Sequence, residues 1–499
     1  LNWNVQGGNT GIWSIWLLNS NGYDPTRYFT GSGDNNSHEI IFVARPGNNK
    51  FQLNADNGFD RYFGNFILRE LRNEGQVALF GEVDSYYLPF PLDGVLRPEM
   101  FGASITGQDT NLSFMKFFQR ANTLAQEDVS LHLEMVGEYK LTERQHLIYV
   151  NEGINVTIDG CETGLVDLSG APTNDERFWL EVMGPGYDGL GSADRILTSL
   201  FDPVSINSRG LKLNSAVGIS RGDWIAITST WEYFSGIGNA NGYQPVNIGE
   251  FSRIRNMNQI TGNIYLETGL SFGYKFHSDP ASHPVNVRRT TVAGIFAAKG
   301  LRALGPAIDS STNRTGTQFL HVRHFEQVQE DNVIVENFPG YSIRYTLCGS
   351  ILLNSPKTIG PKYQLSSSEG VWAYGREIYG CGAGSIVSPI AEHCRRAIDL
   401  HEANKDTLAG DALEAEAVIA KNVSMIGGYS ISCQSLPGGH YSINTELVGH
   451  IGQDAGGQLR GKNVRWVGVH SNRGLGLGIP AGEDQNFLDP DFYPDFDPS

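Results

Sequence analysis

Apolar and polar side chains alternate over most of this chain, in short runs broken by glycine, asparagine and aspartate. Period-two alternation over four to eight residues is the signature of strands with one buried face. In residues 1–95 the runs "EIIFVA", "KFQLNA" and "GQVALFGEV" are separated by turn clusters, which predicts a small antiparallel β domain. Residues 96–130 break the pattern. "LRPEMFGA" is a bending linker, and Leu112, Met115, Phe117, Phe118, Ala121 and Leu124 then recur at three- and four-residue intervals, predicting an amphipathic helix over Thr110 to Gln126 that caps something apolar. From 131 to about 480 strand follows strand with almost no helical periodicity. Residues 220–275 carry alternating runs around Gly222-Asp223 and Gly249-Glu250 that predict a β-rich insertion. The final stretch, 481–499, is acidic, proline-rich and aperiodic, and is expected to be either an extended tail docked on a neighbour or a disordered one.

One pattern repeats. "DNVIVENFPGYSIRYTLC", "KNVSMIGGYSISCQS" and "KNVRWVGVHSNRGLGLGI" share an Asn-Val start at Asn332, Asn422 and Asn463, a polar or glycine turn and a second short strand. Their spacing suits whole coils of roughly 20 to 25 residues with loop insertions, the mark of a β-solenoid whose coils bury their inward side chains only by stacking.

Composition sharpens this reading. Glycine supplies 60 of 499 residues, which fits turns and strands better than helices. The balance of 37 Lys and Arg against 54 Asp and Glu gives a formal charge of −17, which opposes nucleic-acid binding. The five cysteines, Cys161, Cys348, Cys381, Cys394 and Cys433, show no CxxC spacing, so they are expected to be mostly buried thiols rather than a disulfide framework or zinc site. No apolar run reaches the ~18 residues of a membrane span, so no membrane insertion is expected. The first residue is leucine, and nothing at the start of the chain has the pattern of a signal peptide.

"RPEMFGA", the acid-containing "SITGQDTNLSFMKFFQRA", the strand "GEYKLTE" and "NVTIDG" together resemble the entry to the pectate-lyase-like β-helix of bacteriophage tailspikes. The 220–275 segment is similar to an insertion found in several such depolymerases, and the matches span about Leu96 to Ile479. The resemblance implies an all-β fold: a right-handed parallel β-helix with a small N-terminal β domain, a capping helix and a β-rich insertion. It also implies a homotrimer in the virion tail, joined to other tail or baseplate proteins through its N-terminal side and acting outside the host cell. Such a protein binds, and usually cleaves, a bacterial capsule or O-antigen by hydrolysis or by β-elimination beside a uronic acid.

Candidate chemistry concentrates in two strands. In "AEHCRRAIDLHEAN", inward Cys394, Ile398 and Leu400 leave His393, Arg395, Asp399 and His401 outward, with Glu402 at the bend. In "GVWAYGREIYG", inward Val371, Ala373 and Ile378 leave Trp372, Tyr374 and Arg376 outward. A histidine or tyrosine can take a C5 proton while an arginine neutralises the uronate, which is what elimination needs. Asp399 with Glu402, or with Glu377 from the preceding coil, could instead form the carboxylate pair of a glycosidase. The density of His, Arg and Tyr favours elimination. Trp372, together with His440 and Tyr441 in a glycine loop, is expected to contact sugar. A salt-bridged surface row without catalysis, as in a polysaccharide-binding fibre, and a secreted bacterial lyase are the competing readings. No cofactor is expected, since no metal-ligand spacing is present. "GGQLRGKN" has GxxxxGK spacing, but Asn463 stands where a phosphate loop needs Ser or Thr and no helix pattern follows.

Overall fold

Strands that bury every second side chain wind the chain into coils, and like strands of successive coils stack in parallel register. The structure is a computed structural model. It describes residues 94–142, 146–172, 177–187, 197–233, 246–274, 285–306, 317–361, 373–403, 417–439, 442–453, 455, 457–459, 463–472 and 475–477, together with strand segments between 2 and 79.

Three ladders of parallel strands make the body, so the fold is a parallel β-helix. The first joins Leu131–Glu134 through Phe325–Asp331, Ser350–Asn354, Ala383–Val387 and Val423–Ile426 to Arg465–Val467. The second runs from Glu138–Lys140 through Ile334–Glu336, Lys357–Ile359, Ile390–Glu392 and Tyr429–Ile431 to His470–Ser471. The third stacks His146–Tyr149, Phe178–Met183, Gln318–Arg323, Tyr341–Thr346, Tyr374–Tyr379 and Arg396–Ala403. Their inward aliphatic residues form one continuous core, from Leu131 and Leu133 to Leu447.

The Asn-Val repeat has a structural cause. Asn332, Asn422, Asn444 and Asn463 all sit at left-handed turns, with φ of 52°, 55°, 52° and 53°. Asparagine tolerates that conformation better than most residues. Asn444 Nδ2 donates to Asn422 Oδ1 and Asn463 Nδ2 to Asn444 Oδ1, both at 3.0 Å, with sequence separations of 22 and 19. The recurrent dipeptide therefore reports one turn of the solenoid.

"LRPEMFGA" becomes a short strand, Val95–Leu96, then a 3-10 turn, Pro98–Phe101, closed by Gly102 at φ 89°. The helix Asn111–Gln126 follows and lays its aromatic face on the first coils: the Phe114 ring meets Tyr139 at 5.0 Å and Phe118 meets Trp179 at 5.3 Å. Leu112, expected on the buried face, is 48% exposed, and Met115 is only half-buried. Phe114 is buried instead, because the apolar stripe is centred on Phe114, Phe117, Phe118 and Ala121.

The insertion enters between Phe178–Met183 and Ala293–Leu304. Its six-stranded antiparallel sheet extends from Leu197–Ser199 to Asn286–Thr290, on both sides of the 220–275 span. A buried ion pair fastens it to the solenoid: Lys421 Nζ lies 2.6 Å from Glu250 Oε2 and 2.8 Å from Ser252 Oγ, while Tyr274 Oη donates to Glu250 Oε1 at 3.1 Å. Removing one member of such a pair strands a charge and costs about 3–5 kcal/mol. Lys421→Met is therefore expected to loosen the insertion, read as faster hydrogen exchange in Trp224–Tyr233 and Val246–Asn258; unchanged exchange there would exclude this fastening role.

Strands before residue 80 form small antiparallel sheets, including Ile12–Asn19 between Thr26–Ser32 and Asn48–Ala55. The tail at 481–499 lies outside the described residues. Among the cysteines, Cys161 is exposed and the other four are buried. Among the described residues no helix is long and apolar enough to cross a membrane.

Candidate active site

The third ladder carries the chemistry. Its inward residues, Leu180 and Val182, Leu320 and Val322, Ile343 and Tyr345, Ile378, Ile398 and Leu400, belong to the core. Alternation then turns their neighbours the other way. Strand register aligns these in one column, Glu181, His321, Arg344, Glu377 and Asp399, and in a second, Met183, Arg323, Thr346, Tyr379 and His401. A row of ionisable groups thus crosses successive coils, although residues as distant in sequence as Glu181 and Asp399 contribute to it.

At its C-terminal end the groups interlock. Arg344 donates from Nε and Nη2 to Glu377 Oε2, at 2.9 and 2.8 Å, while its guanidinium stacks over the Tyr341 and Tyr379 rings at 4.8 Å each. His401 Nε2 lies 2.9 Å from Asp399 Oδ2, and Arg396 donates to Asp399 Oδ1. The His401 and Tyr379 rings are stacked at 5.0 Å. Glu377, Asp399 and His401 each offer an atom within 4.8 Å of the others. Arg344 engages Glu377 and Arg396 engages Asp399, so each carboxylate has a guanidinium partner. The Glu377 and Asp399 side chains are 1% and 0% exposed, whereas Arg344, His401 and Glu402 keep 19%, 15% and 16%.

Environment sets the protonation states. Burial raises the Glu377 pKa above the usual carboxylate range against the pull of Arg344 and His401, and Asp399 adds to the rise. Burial pulls His401 down, but Asp399 outweighs it, with help from Glu402 and Glu377, and His401 is lifted from 6.5 to about 10. Burial pushes the Tyr374 and Tyr379 hydroxyls above their ordinary value. Burial, with Arg323 and Arg344, holds His321 well below its ordinary value. At neutral pH His401 is a cation and the tyrosines are neutral.

His401 also makes stability depend on pH. Its folded-state pKa of about 10 lies above the ordinary 6.5, so its contribution is complete below 6.5 and disappears as pH rises through 10. At about 1.4 kcal/mol per pKa unit the loss is on the order of a few kcal/mol. Urea melts of the native chain and His401→Gln should converge with rising pH across this window. A constant difference would contradict the assignment.

Several expected positions differ. Arg376 is not outward: it is fully buried among core residues and is paired with Glu330. Ala373 and Ile378 both join the core although five positions apart, so strict alternation slips between them and Arg376 takes the phase of its register neighbours Ile343 and Ile398. His393 does not belong to the Arg396–Ala403 strand. It occupies a left-handed corner at φ 54°, in the turn series that includes Asn337 and Ser432. Arg395 precedes the strand and lies over the Tyr374 ring at 5.1 Å. Glu402 is not at a bend: it lies within the strand, opposite Ile419, with an oxygen 3.7 Å from His401 Nδ1. Tyr374 is buried against Tyr341, ring to ring at 5.4 Å. Trp372, His440 and Tyr441 lie outside the described residues. Glu181, His321, Arg323, Tyr341, Arg344, Tyr379 and Arg396 were not anticipated. Aligning "FLHVR", "SIRYT", "REIY" and "AIDLH" on their aliphatic residues would have put His321, Arg344, Glu377 and Asp399 in a single column.

No family model matches the chain, and no curated protein matches it. Among solved structures it is similar to the tailspike protein gp49 of Pseudomonas phage LKA1, at TM-score 0.48 and 15% identity over 75% of this chain and 59% of that one. It is similar to the tailspike gp61 of Pseudomonas phage phi297, at TM-score 0.34 and 12% identity over 76% of each chain. A third similar structure is the gp54 tailspike of Acinetobacter baumannii bacteriophage AP22, in complex with A. baumannii capsular saccharide, at TM-score 0.29 and 13% identity over 73% of this chain and 67% of that one. The chain therefore spans less than two thirds of the first of these tailspikes.

Proposed function

We propose that this chain is a phage tailspike that depolymerises a bacterial surface polysaccharide by glycoside hydrolysis, with Glu377 and Asp399 as the reacting carboxylates. The observation that carries the reading is the pairing of two carboxyl groups across adjacent coils in different surroundings. Glu377 is raised by burial, as a general acid must be, while Asp399 lies between Arg396 and His401. Glu377 would protonate the glycosidic oxygen as Asp399 attacks the anomeric carbon. Glu377 would then take a proton from water, whose oxygen displaces Asp399. Their reactive atoms lie within 4.8 Å, nearer the ~5–5.5 Å of retaining glycosidases than the ~6.5–9.5 Å of inverting ones. Elimination, favoured by residue types alone, loses ground because a cationic His401 and neutral tyrosines are poor proton acceptors.

The burial of both carboxylates favours a second reading, a fibre that binds polysaccharide without cutting it and uses the cluster to hold its coils together. Substrate would reach the pair past the partly exposed Arg344, His401 and Glu402. Proton NMR of the first product from purified host polysaccharide separates the readings. Retention of anomeric configuration is expected; inversion would exclude Asp399 as nucleophile, and binding without product would establish the fibre. In the same reading the chain is a homotrimer attached to the virion through its N-terminal side, and a monomer by light scattering would oppose that assembly.

A further inference from the structure

A cleft of about 450 Å³ lies where the insertion meets the first ladder, outside the cluster just described. This is within the ~300–1,000 Å³ of small-molecule sites. Trp224, at the start of the Trp224–Tyr233 strand, and Phe251 stack at 4.9 Å and line it. Glycines in two successive coils keep the space that the indole fills. A Cβ at Gly349 would come within 2.3 Å of Trp224 Cζ2, and one at Gly382 within 2.8 Å of Trp224 Cζ3. Trp224 is 9% exposed, and its buried Nε1 has no hydrogen-bond partner.

Polar groups stand around this aromatic lining. Arg253 Nη2 lies 2.7 Å from Glu326 Oε1, and Arg253 Nε lies 3.8 Å from Glu267 Oε1. All three side chains keep 35–48% of their exposure, and Gln327, Ser350 and Thr268 complete the rim. One cation shared by two carboxylates leaves the rim slightly negative, which disfavours an anionic ligand. Phe251 is fully buried and covers the Trp224 ring, so the apolar contact a pyranose would meet comes from Ile295 and Ala383, with the carboxylate, guanidinium, amide and hydroxyl groups of the rim placed for its hydroxyls.

The two places share a wall. Trp224 and Phe251 pack with Leu347, Ala403 and Val418, and Tyr379 of the candidate site packs against the same cluster. Trp224 and Phe251 of the insertion therefore line the cleft and also belong to the cluster on which Tyr379 packs.

We propose that this cleft is an accessory, non-catalytic binding site for a neutral, hydroxyl-rich sugar. It does not depend on the cleavage chemistry assigned to Glu377 and Asp399. Saturation-transfer NMR with methyl glucoside, galactoside, mannoside and their N-acetylamino counterparts, with methyl glucuronide as the anionic control, tests it. Saturable transfer to at least one neutral glycoside is expected in the native chain and in Asp399→Asn. Affinity should fall at least tenfold in Ser350→Trp, which fills the cleft from an outward position, and in Glu267→Ala, an exposed change that leaves the core intact if the first variant does not fold. The proposal is overturned if no neutral glycoside binds, if only the glucuronide binds, if folded Ser350→Trp or Glu267→Ala binds as the native chain does, or if Asp399→Asn abolishes binding.

Discussion

Arg376→Met should lose about 3–5 kcal/mol of stability, because it leaves Glu330 charged and alone inside the solenoid. Arg376 reaches from the third ladder across the core. Its guanidinium pairs with Glu330, donates to the carbonyls of Lys357 and Val333 at 2.9 and 2.8 Å, and meets Thr358 Oγ1 at 2.9 Å. Tyr345 Oη donates to the other side of Glu330 at 2.7 Å. Every ladder contributes to this network: Glu330 comes from the first, Thr358 from the second, and Arg376 and Tyr345 from the third. A fully satisfied buried network stabilises little by its presence but costs much when halved. The double variant Arg376→Met with Glu330→Leu should therefore recover a large part of the loss, since no unpaired charge remains. Equilibrium urea unfolding measures both. If the single variant were no less stable than the native chain, the buried pair would not be holding the three ladders together.

The second large effect is on turnover. Asp399→Asn keeps the size of the side chain and removes the negative charge that faces Arg396 and His401. It should lower polysaccharide cleavage by at least about 10,000-fold, because a carboxamide cannot serve as the nucleophile. His401→Gln should cost less, since in this account the imidazolium positions Asp399 rather than transferring the proton. An equal or larger loss in His401→Gln, with the fold intact, would return the histidine to the centre of the chemistry.

The sequence carried the architecture further than the site. Aliphatic residues at every second position fix which face of a strand enters the core, and the Asn-Val repeat marks a turn that asparagine accepts, so the solenoid was legible from local patterns. Glu377 and Asp399 were legible as an acid pair because their strands follow one another. Arg344 and His321 were not, because their meaning lies in register with strands far along the chain rather than in their own segments. Arg376 was misread for a related reason. Alternation slips between Ala373 and Ile378, and the charge that makes Arg376 look outward is neutralised by Glu330, forty-six residues earlier. The insertion's edges were also hidden, since the Leu197–Ser199 strand pairs with Asn286–Thr290 across the whole segment.

The most direct test compares the native chain with Asp399→Asn on the same purified bacterial surface polysaccharide, following new reducing ends together with the ultraviolet absorbance of unsaturated uronate. Reducing ends without that absorbance are expected from the native chain, and almost none from Asp399→Asn. Unsaturated products from the native chain, or full turnover by Asp399→Asn, would contradict hydrolysis by this carboxylate pair.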